Sequence, residues 1–180
     1  MKILSTQLPG VLLIEPAVFQ DARGFFMETY RQDLFAANGI TVDFVQDNHS
    51  RSAKGTLRGL HYQTAPMEQA KLVRVTKGEA YDVVVDIRPG SRTFGRWEGY
   101  ALNADNKKML FIPAGFAHGF LALEEGTELV YKTSNVYSPQ HERGILWNDP
   151  ALGIPWPKIN VPYLLSEKDK KFPLLKEVAG

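Results

Sequence analysis

The chain has 180 residues, with 21 Lys and Arg against 20 Asp and Glu and a formal net charge of +1. It therefore exerts no broad pull on nucleic acid, and any anionic ligand must be met by a local cluster of cations. It contains no cysteine, which excludes disulfides, thiolate metal sites and cysteine nucleophiles and fits a reducing compartment.

One domain is expected over 1–180, long enough to bury a core without staples. The N-terminus turns polar at Ser5 and lacks the apolar stretch and small-residue cleavage site of a signal peptide. No apolar run approaches the roughly 18 residues of a membrane span. A cytoplasmic protein with no membrane partner is expected. In chain order, strand patterns recur at 10–15, 41–48, 71–75, 79–87, 108–112, 119–123 and 127–133, punctuated by Gly, Pro, Asn or Asp. Residues 81–87 form a nearly unbroken apolar run that reads as buried on both faces. In 127–133, Glu128, Val130 and Lys132 alternate with Leu129, Tyr131 and Thr133, the period of a half-buried strand. A short helix is expected at 32–38, stopped by Gly39, and another start at Ser166, with Asp169 three residues on. Many short strands and few helices point to a mainly β fold, a jelly-roll sandwich or barrel.

The chain has four histidines: His49, His61, His118 and His141. In Arg58-Gly59-Leu60-His61-Tyr62-Gln63, Arg58 and His61 stand three apart and would face opposite sides of a regular strand, but a bulge at Gly59 would bring both to one side. Histidine is suited to accept a proton near neutral pH, and arginine to grip phosphate through two parallel hydrogen bonds. Lys71, Arg74 and Lys77 read equally as a solvated strand edge or as contacts to a phosphate or oxyanion. The run Ile112-Pro113-Ala114-Gly115-Phe116-Ala117-His118-Gly119 is a tight turn delivering His118 to the start of a strand.

That P-x-G-x-x-H run resembles the second motif of the cupin superfamily of small jelly-roll barrels. Metal-binding cupins carry H-x-H in their first motif; here the matching place reads His61-Tyr62-Gln63. A triad of His61, His118 and a carboxylate is the remaining metal reading. Arg58 beside a metal ion would be electrostatically costly, so no metal is expected.

Across nearly its whole length the chain resembles the dTDP-4-dehydrorhamnose 3,5-epimerases. The resemblance rests on the ordered set Phe19-Gln20-Asp21-Ala22-Arg23-Gly24-Phe25-Phe26, Gln46-Asp47-Asn48-His49-Ser50, Gly55 to Gln63, Lys71 to Val75, Asp82 to Arg88, Ile112 to Phe120, Tyr131, Arg143 to Pro150 and Leu165 to Asp169. It implies a cofactor-free isomerase of dTDP-L-rhamnose biosynthesis, acting on the nucleotide sugar dTDP-4-dehydro-6-deoxy-D-glucose. By that resemblance His61 is the base, Asp169 its orienting partner, Lys71 the stabiliser of the C4 oxyanion and Tyr131 the acid on the opposite face. Arg23 and Arg58 would meet the diphosphate, with His118 and Lys168 adding donors. Gln46 and Asn48 would hydrogen-bond the nucleotide or sugar, and Phe19 and Tyr137 would sandwich the thymine. Glu28 and Glu142 match further substrate contacts, although a surface ion pair with Arg143 is the plainer reading of Glu142. The resemblance also implies a homodimer in which the segment 19–28 reaches into the partner's site. The alternatives are a single-carbon (C3 or C5) epimerase of a related dTDP-4-keto-6-deoxy sugar, a ketoisomerase, a metal-dependent cupin oxygenase and a non-catalytic sugar-binding cupin.

Overall fold

The computed structural model describes residues 1–178. The elements run β1 (Lys2–Ser5), β2 (Leu12–Glu15), β3 (Val18–Asp21), β4 (Gly24–Met27), α1 (Gln32–Ala36), β5 (Gln46–Ser52), β6 (Leu57–Gln63), β7 (Lys71–Lys77) and β8 (Glu79–Asp86). They continue through β9 (Trp97–Asn103), β10 (Met109–Ile112), β11 (Phe116–Ala122), β12 (Thr127–Thr133) and β13 (Glu142–Gly144) to a 3₁₀ turn (Asp169–Lys171) and α2 (Leu175–Val178).

Two antiparallel sheets stack face to face. One has the order β1-β2-β10-β7-β12-β5, the other β13-β6-β11-β8-β9. Their facing sides interdigitate in one core: Val73, Val75, Leu110 and Leu129 from the first sheet meet Ala80, Val84, Leu102, Phe116 and Phe120 from the second. This is the jelly roll expected from the strand pattern, of the cupin type the resemblance implies. The alternate residues of the second sheet, Leu57, Leu60, Val83, Val85, Ala117 and Leu121, pack outward beneath the C-terminal segment, against Ile145, Leu152, Trp156 and Leu175. Because that sheet is covered on both faces, β8 is buried at nearly every position, as its apolar run foretells. The outer face of the first sheet is covered in part by α1 and its flanks, where Phe35 and Ile40 pack on Ile14, Leu72 and Met109.

The strand expected at 41–48 instead begins at Gln46 and runs to Ser52. Its register is set by β12, which places Thr133 opposite Gln46 and Thr127 opposite Ser52. Val42 and Phe44 pack with α1 instead. β9 shows no clear apolar alternation because Gly99 leaves room for the Tyr81 ring of β8, which occupies the space a Cβ would take. The β3–β4 hairpin pairs with neither sheet. It carries Phe19, Phe25 and Phe26 exposed.

Candidate active site

Strand parity assembles the site. On β7, Lys71 shares the inner face with Val73 and Val75, while Leu72 and Arg74 turn to the outer face. On β12 Tyr131 follows Leu129 inward, and on β5 Gln46, Asn48 and Ser50 sit opposite Thr133, Tyr131 and Leu129. β6 breaks the alternation where the site needs it. Leu57 and Leu60 pack outward, whereas Arg58 and His61, three apart, both line the cavity. The bulge is at Gly59, where φ is +124° and the register against β11 shifts. A Cβ there would lie 2.6 Å from Gly119 Cα, so the close strand approach that aims both side chains inward requires glycine.

The resulting cavity has two adjoining lobes of about 250 Å³ each. Lys71, His61, Tyr131, Tyr137 and Glu142 line both; Gln46 and Asn48 belong to one lobe, Arg58 and His118 to the other. His61 stands on one sheet, and Lys71 and Tyr131 stand on the other, facing it.

His61 Nε2 and Asp169 Oδ1 are 2.6 Å apart, across 108 residues of sequence. Ser166 does act at the start of that turn, its hydroxyl accepting the Asp169 N–H at 3.1 Å. The Asp169 carboxylate, however, reaches out to His61 instead of folding back on its own helix start. Burial pushes the Asp169 carboxyl up. The His61 hydrogen bond and charge, aided by Ser166 and Lys168, outweigh this and hold it below the usual carboxylate range. The edge of Phe172 stands against the imidazole at 5.6 Å between centroids.

Burial lowers the Lys71 ammonium to about 8, against the opposing pull of the Asp82 and Glu142 carboxylates. Burial raises the Tyr131 phenol, with Arg58 opposing and Glu142 adding to the shift, so the group keeps its proton at neutral pH. At the rim, Glu142 accepts from Lys168 Nζ at 2.7 Å and from the Tyr137 hydroxyl at 2.9 Å. Arg143 is not its partner and donates to the backbone carbonyls of Gln140 and Glu142. The Tyr137 N–H donates to Gln46 Oε1, and Gln46 Nε2 to Asn48 Oδ1, both at 2.9 Å.

The structure adds one residue that sequence reasoning missed. His118 Nε2 lies 2.9 and 3.0 Å from the two oxygens of Asp82, which is fully buried. The signal was there: an aspartate inside the apolar run 79–87, at the inward parity of Ala80 and Val84. Three expected residues are not brought to the cavity of their own chain. Phe19 is 64% exposed, Arg23 pairs only with Asp21 at 2.6 Å, and Glu28 lies 3.5 Å from Arg31. Of the other histidines, His49 turns to the outer face and meets Glu128 at 3.1 Å, and His141 meets Ser138 Oγ at 2.8 Å. Among the described residues, no three His, Asp or Glu side chains gather in a group able to hold a metal ion.

A cupin-type barrel whose interior sets a carboxylate-held histidine against a buried lysine and a protonated tyrosine defines an acid–base enzyme. Residues 5–177 match the sequence profile described as dTDP-4-dehydrorhamnose 3,5-epimerase, and the chain belongs to that family. It is 57% identical to the dTDP-4-dehydrorhamnose 3,5-epimerase of Pseudomonas aeruginosa, over 95% of this chain and 94% of that one. It superposes with a TM-score of 0.94 and 46% identity on the dTDP-6-deoxy-D-glucose-3,5-epimerase of Legionella pneumophila, solved with dTDP-4-keto-L-rhamnose, over 97% of this chain and 93% of that one. A 3'-monoepimerase from Streptomyces bikiniensis, solved with dTDP-quinovose, matches at a TM-score of 0.89 and 37% identity, over 95% of this chain and 86% of that one.

Proposed function

We propose that the chain inverts C3 and C5 of dTDP-4-dehydro-6-deoxy-D-glucose, giving dTDP-4-dehydro-L-rhamnose for dTDP-L-rhamnose biosynthesis. The observation that carries this reading is the placement of His61 opposite Lys71 and Tyr131, on facing sheets across one cavity. The C4 ketone acidifies the protons on C3 and C5. His61, held through Nε2 by Asp169, takes a proton with its other ring nitrogen, and Asp169 stabilises the imidazolium that forms. Charge moves onto the C4 oxygen, where the Lys71 ammonium meets it in a cavity of low dielectric. Tyr131 returns a proton from the far face, which inverts the carbon. No redox change occurs, so the chemistry needs no redox cofactor.

Arg58 and Lys168 supply cations for the diphosphate, His118 adds a hydrogen-bonding ring nitrogen, and Tyr137 an exposed aromatic face for the thymine. Gln46, Asn48 and Glu142 add polar contacts. Phe19, Arg23 and Glu28 complete the site from a second copy of the chain, because the hairpin that holds Phe19 and Arg23, with Glu28 just after it, stands clear of its own cavity and bears exposed aromatics. We propose a cytoplasmic location, in keeping with the cysteine-free sequence. Among the described residues no helix is long and apolar enough to cross a membrane.

The test is turnover of dTDP-4-dehydro-6-deoxy-D-glucose in deuterated water. Deuterium at both C3 and C5 of the product is expected. Deuterium at one carbon identifies a single-carbon epimerase, the activity the Streptomyces structure represents. Deuterium at neither ends the epimerase reading.

A further inference from the structure

Lys71 and His118 approach the cavity from opposite sheets, and one buried group lies behind both. Asp82 sits on β8 at the inward parity, between Ala80 and Val84. Its carboxylate accepts from His118 Nε2 through both oxygens, which fixes the imidazole in one orientation and turns its other nitrogen away from Asp82. Across the core Lys71 is 9% exposed, and its ammonium is met by no carboxylate at ion-pair distance among the described residues. A cation so deeply buried is costly unless an opposite charge stands within reach.

We propose that Asp82 is a positioning residue for the reaction: one buried carboxylate that orients His118 and keeps the Lys71 ammonium charged inside the barrel. This rests on the role given to Lys71 above. Lining the cavity with Lys71 are His118 from β11, Arg58 and His61 from β6, Tyr131 from β12, and Tyr137 and Glu142 from the β12–β13 region, and Asp82 of β8 stands directly behind His118. Only two of these are carboxylates, and Asp82 exerts the larger of the two pulls on Lys71. Glu142 divides its charge with Lys168 and Tyr137 at the rim. Asp82 has no exposed surface through which water could screen it.

The experiment is the pH profile of kcat/KM for the full-length enzyme and its Asp82→Asn variant, with dTDP-4-dehydro-6-deoxy-D-glucose as substrate. Asparagine keeps an oxygen for His118 and removes the charge. On this reading the alkaline limb of the wild-type profile follows loss of the Lys71 proton, at about 8. In the variant that limb moves to lower pH. For a shift of one unit, the charged fraction of Lys71 falls about fivefold at pH 8 and by roughly a tenth at pH 6. The deficit therefore grows with pH, which a merely structural loss does not do. A folded variant whose limb stays in place overturns the proposal. A wild type with no turnover refutes the function instead, so the two failures are separable. Should Asp82→Asn not fold, His118→Phe supplies the second arm. It keeps the ring but removes the donor that compensates Asp82 and leaves the carboxylate to act on Lys71, so the limb moves to higher pH. An unmoved or lowered limb there overturns the proposal.

Discussion

Replacing Asp169 with asparagine isolates the electrostatic part of the proposed base. Asp169 is almost fully buried, and its Oδ1 stands 2.6 Å from His61 Nε2, so the substitution takes one charge from a well-shielded contact. Two unit charges about 4 Å apart at an effective dielectric near 20 interact by about 4 kcal/mol. That attraction is realised only as the imidazole gains its proton, so it belongs to the transition state and falls on kcat rather than on KM. Proton transfer being incomplete at the barrier, about 3–4 kcal/mol is lost, or roughly 10²–10³-fold in kcat. The assay is single-turnover conversion in deuterated water, followed by the label at C3 and C5. Exchange at both carbons falls together, because one base serves both. If Asp169→Asn folds and loses less than about threefold, or loses exchange at one carbon alone, the dyad is not the common base.

Tyr131→Phe leaves His61 in place, so deuterium exchange survives better than net inversion; the ratio of the two rates measures this. Gly59→Ala forces a Cβ to within 2.6 Å of Gly119 Cα and 2.8 Å of the His118 carbonyl oxygen, at a φ of +124°. A loss of about 2–4 kcal/mol in chemical denaturation is expected, with activity falling as Arg58 and His61 lose their common face. Burial raises the Asp86 carboxyl, but hydrogen bonds from Arg88, Ser91 and Thr93 outweigh it and hold the group far below the usual range. Its stabilisation is thus present above the unfolded-state value near 4 and lost as pH falls through the folded-state value. Asp86→Asn is expected to cost roughly 2–4 kcal/mol at pH 7, and the gap to wild type closes as unfolding is measured toward pH 2. Arg23→Ala and His61→Ala are each inactive as homodimers, yet on co-expression mixed dimers regain one intact site and a substantial fraction of activity. No recovery places the hairpin's action within its own chain.

The sheets were legible where burial follows a simple period. The apolar run of β8 and the alternation of β12 announced their environments, and β12 with β7 supplies the inner wall that holds Tyr131 and Lys71. Legibility failed where tertiary packing overrides local pattern. β9 gives up its regular apolar face to admit Tyr81, and β5 takes its limits from its partner strand. The site was partly readable: Gly59 between Arg58 and His61 foretold a bulge with no knowledge of relatives. The contact of His61 with Asp169 was not, since no spacing rule spans 108 residues. Asp82 was hidden by its company, a single acid inside an apolar run.

His61 and His118 are register partners on adjacent strands, and each turns Nε2 to a buried carboxylate. The two pairs are nevertheless built differently. Asp82 comes from β8, hydrogen-bonded to β11 in the same sheet, and is as rigid as that sheet. Asp169 comes from the far end of the chain. After β13 the chain crosses the outer face of the sheet, seating Ile145, Leu152 and Trp156, before the 3₁₀ turn brings Asp169 and Phe172 to His61. The proposed base is thus completed only when the C-terminal segment has docked on the finished sandwich. A histidine proposed to take up and release a proton gains from this arrangement, because packing fixes its carboxylate partner while the ring itself lines the cavity. The proposed oxyanion side draws on Asp82 and Lys71 within the strands themselves, and there the demand is the opposite: a charge that must not move as the substrate turns over.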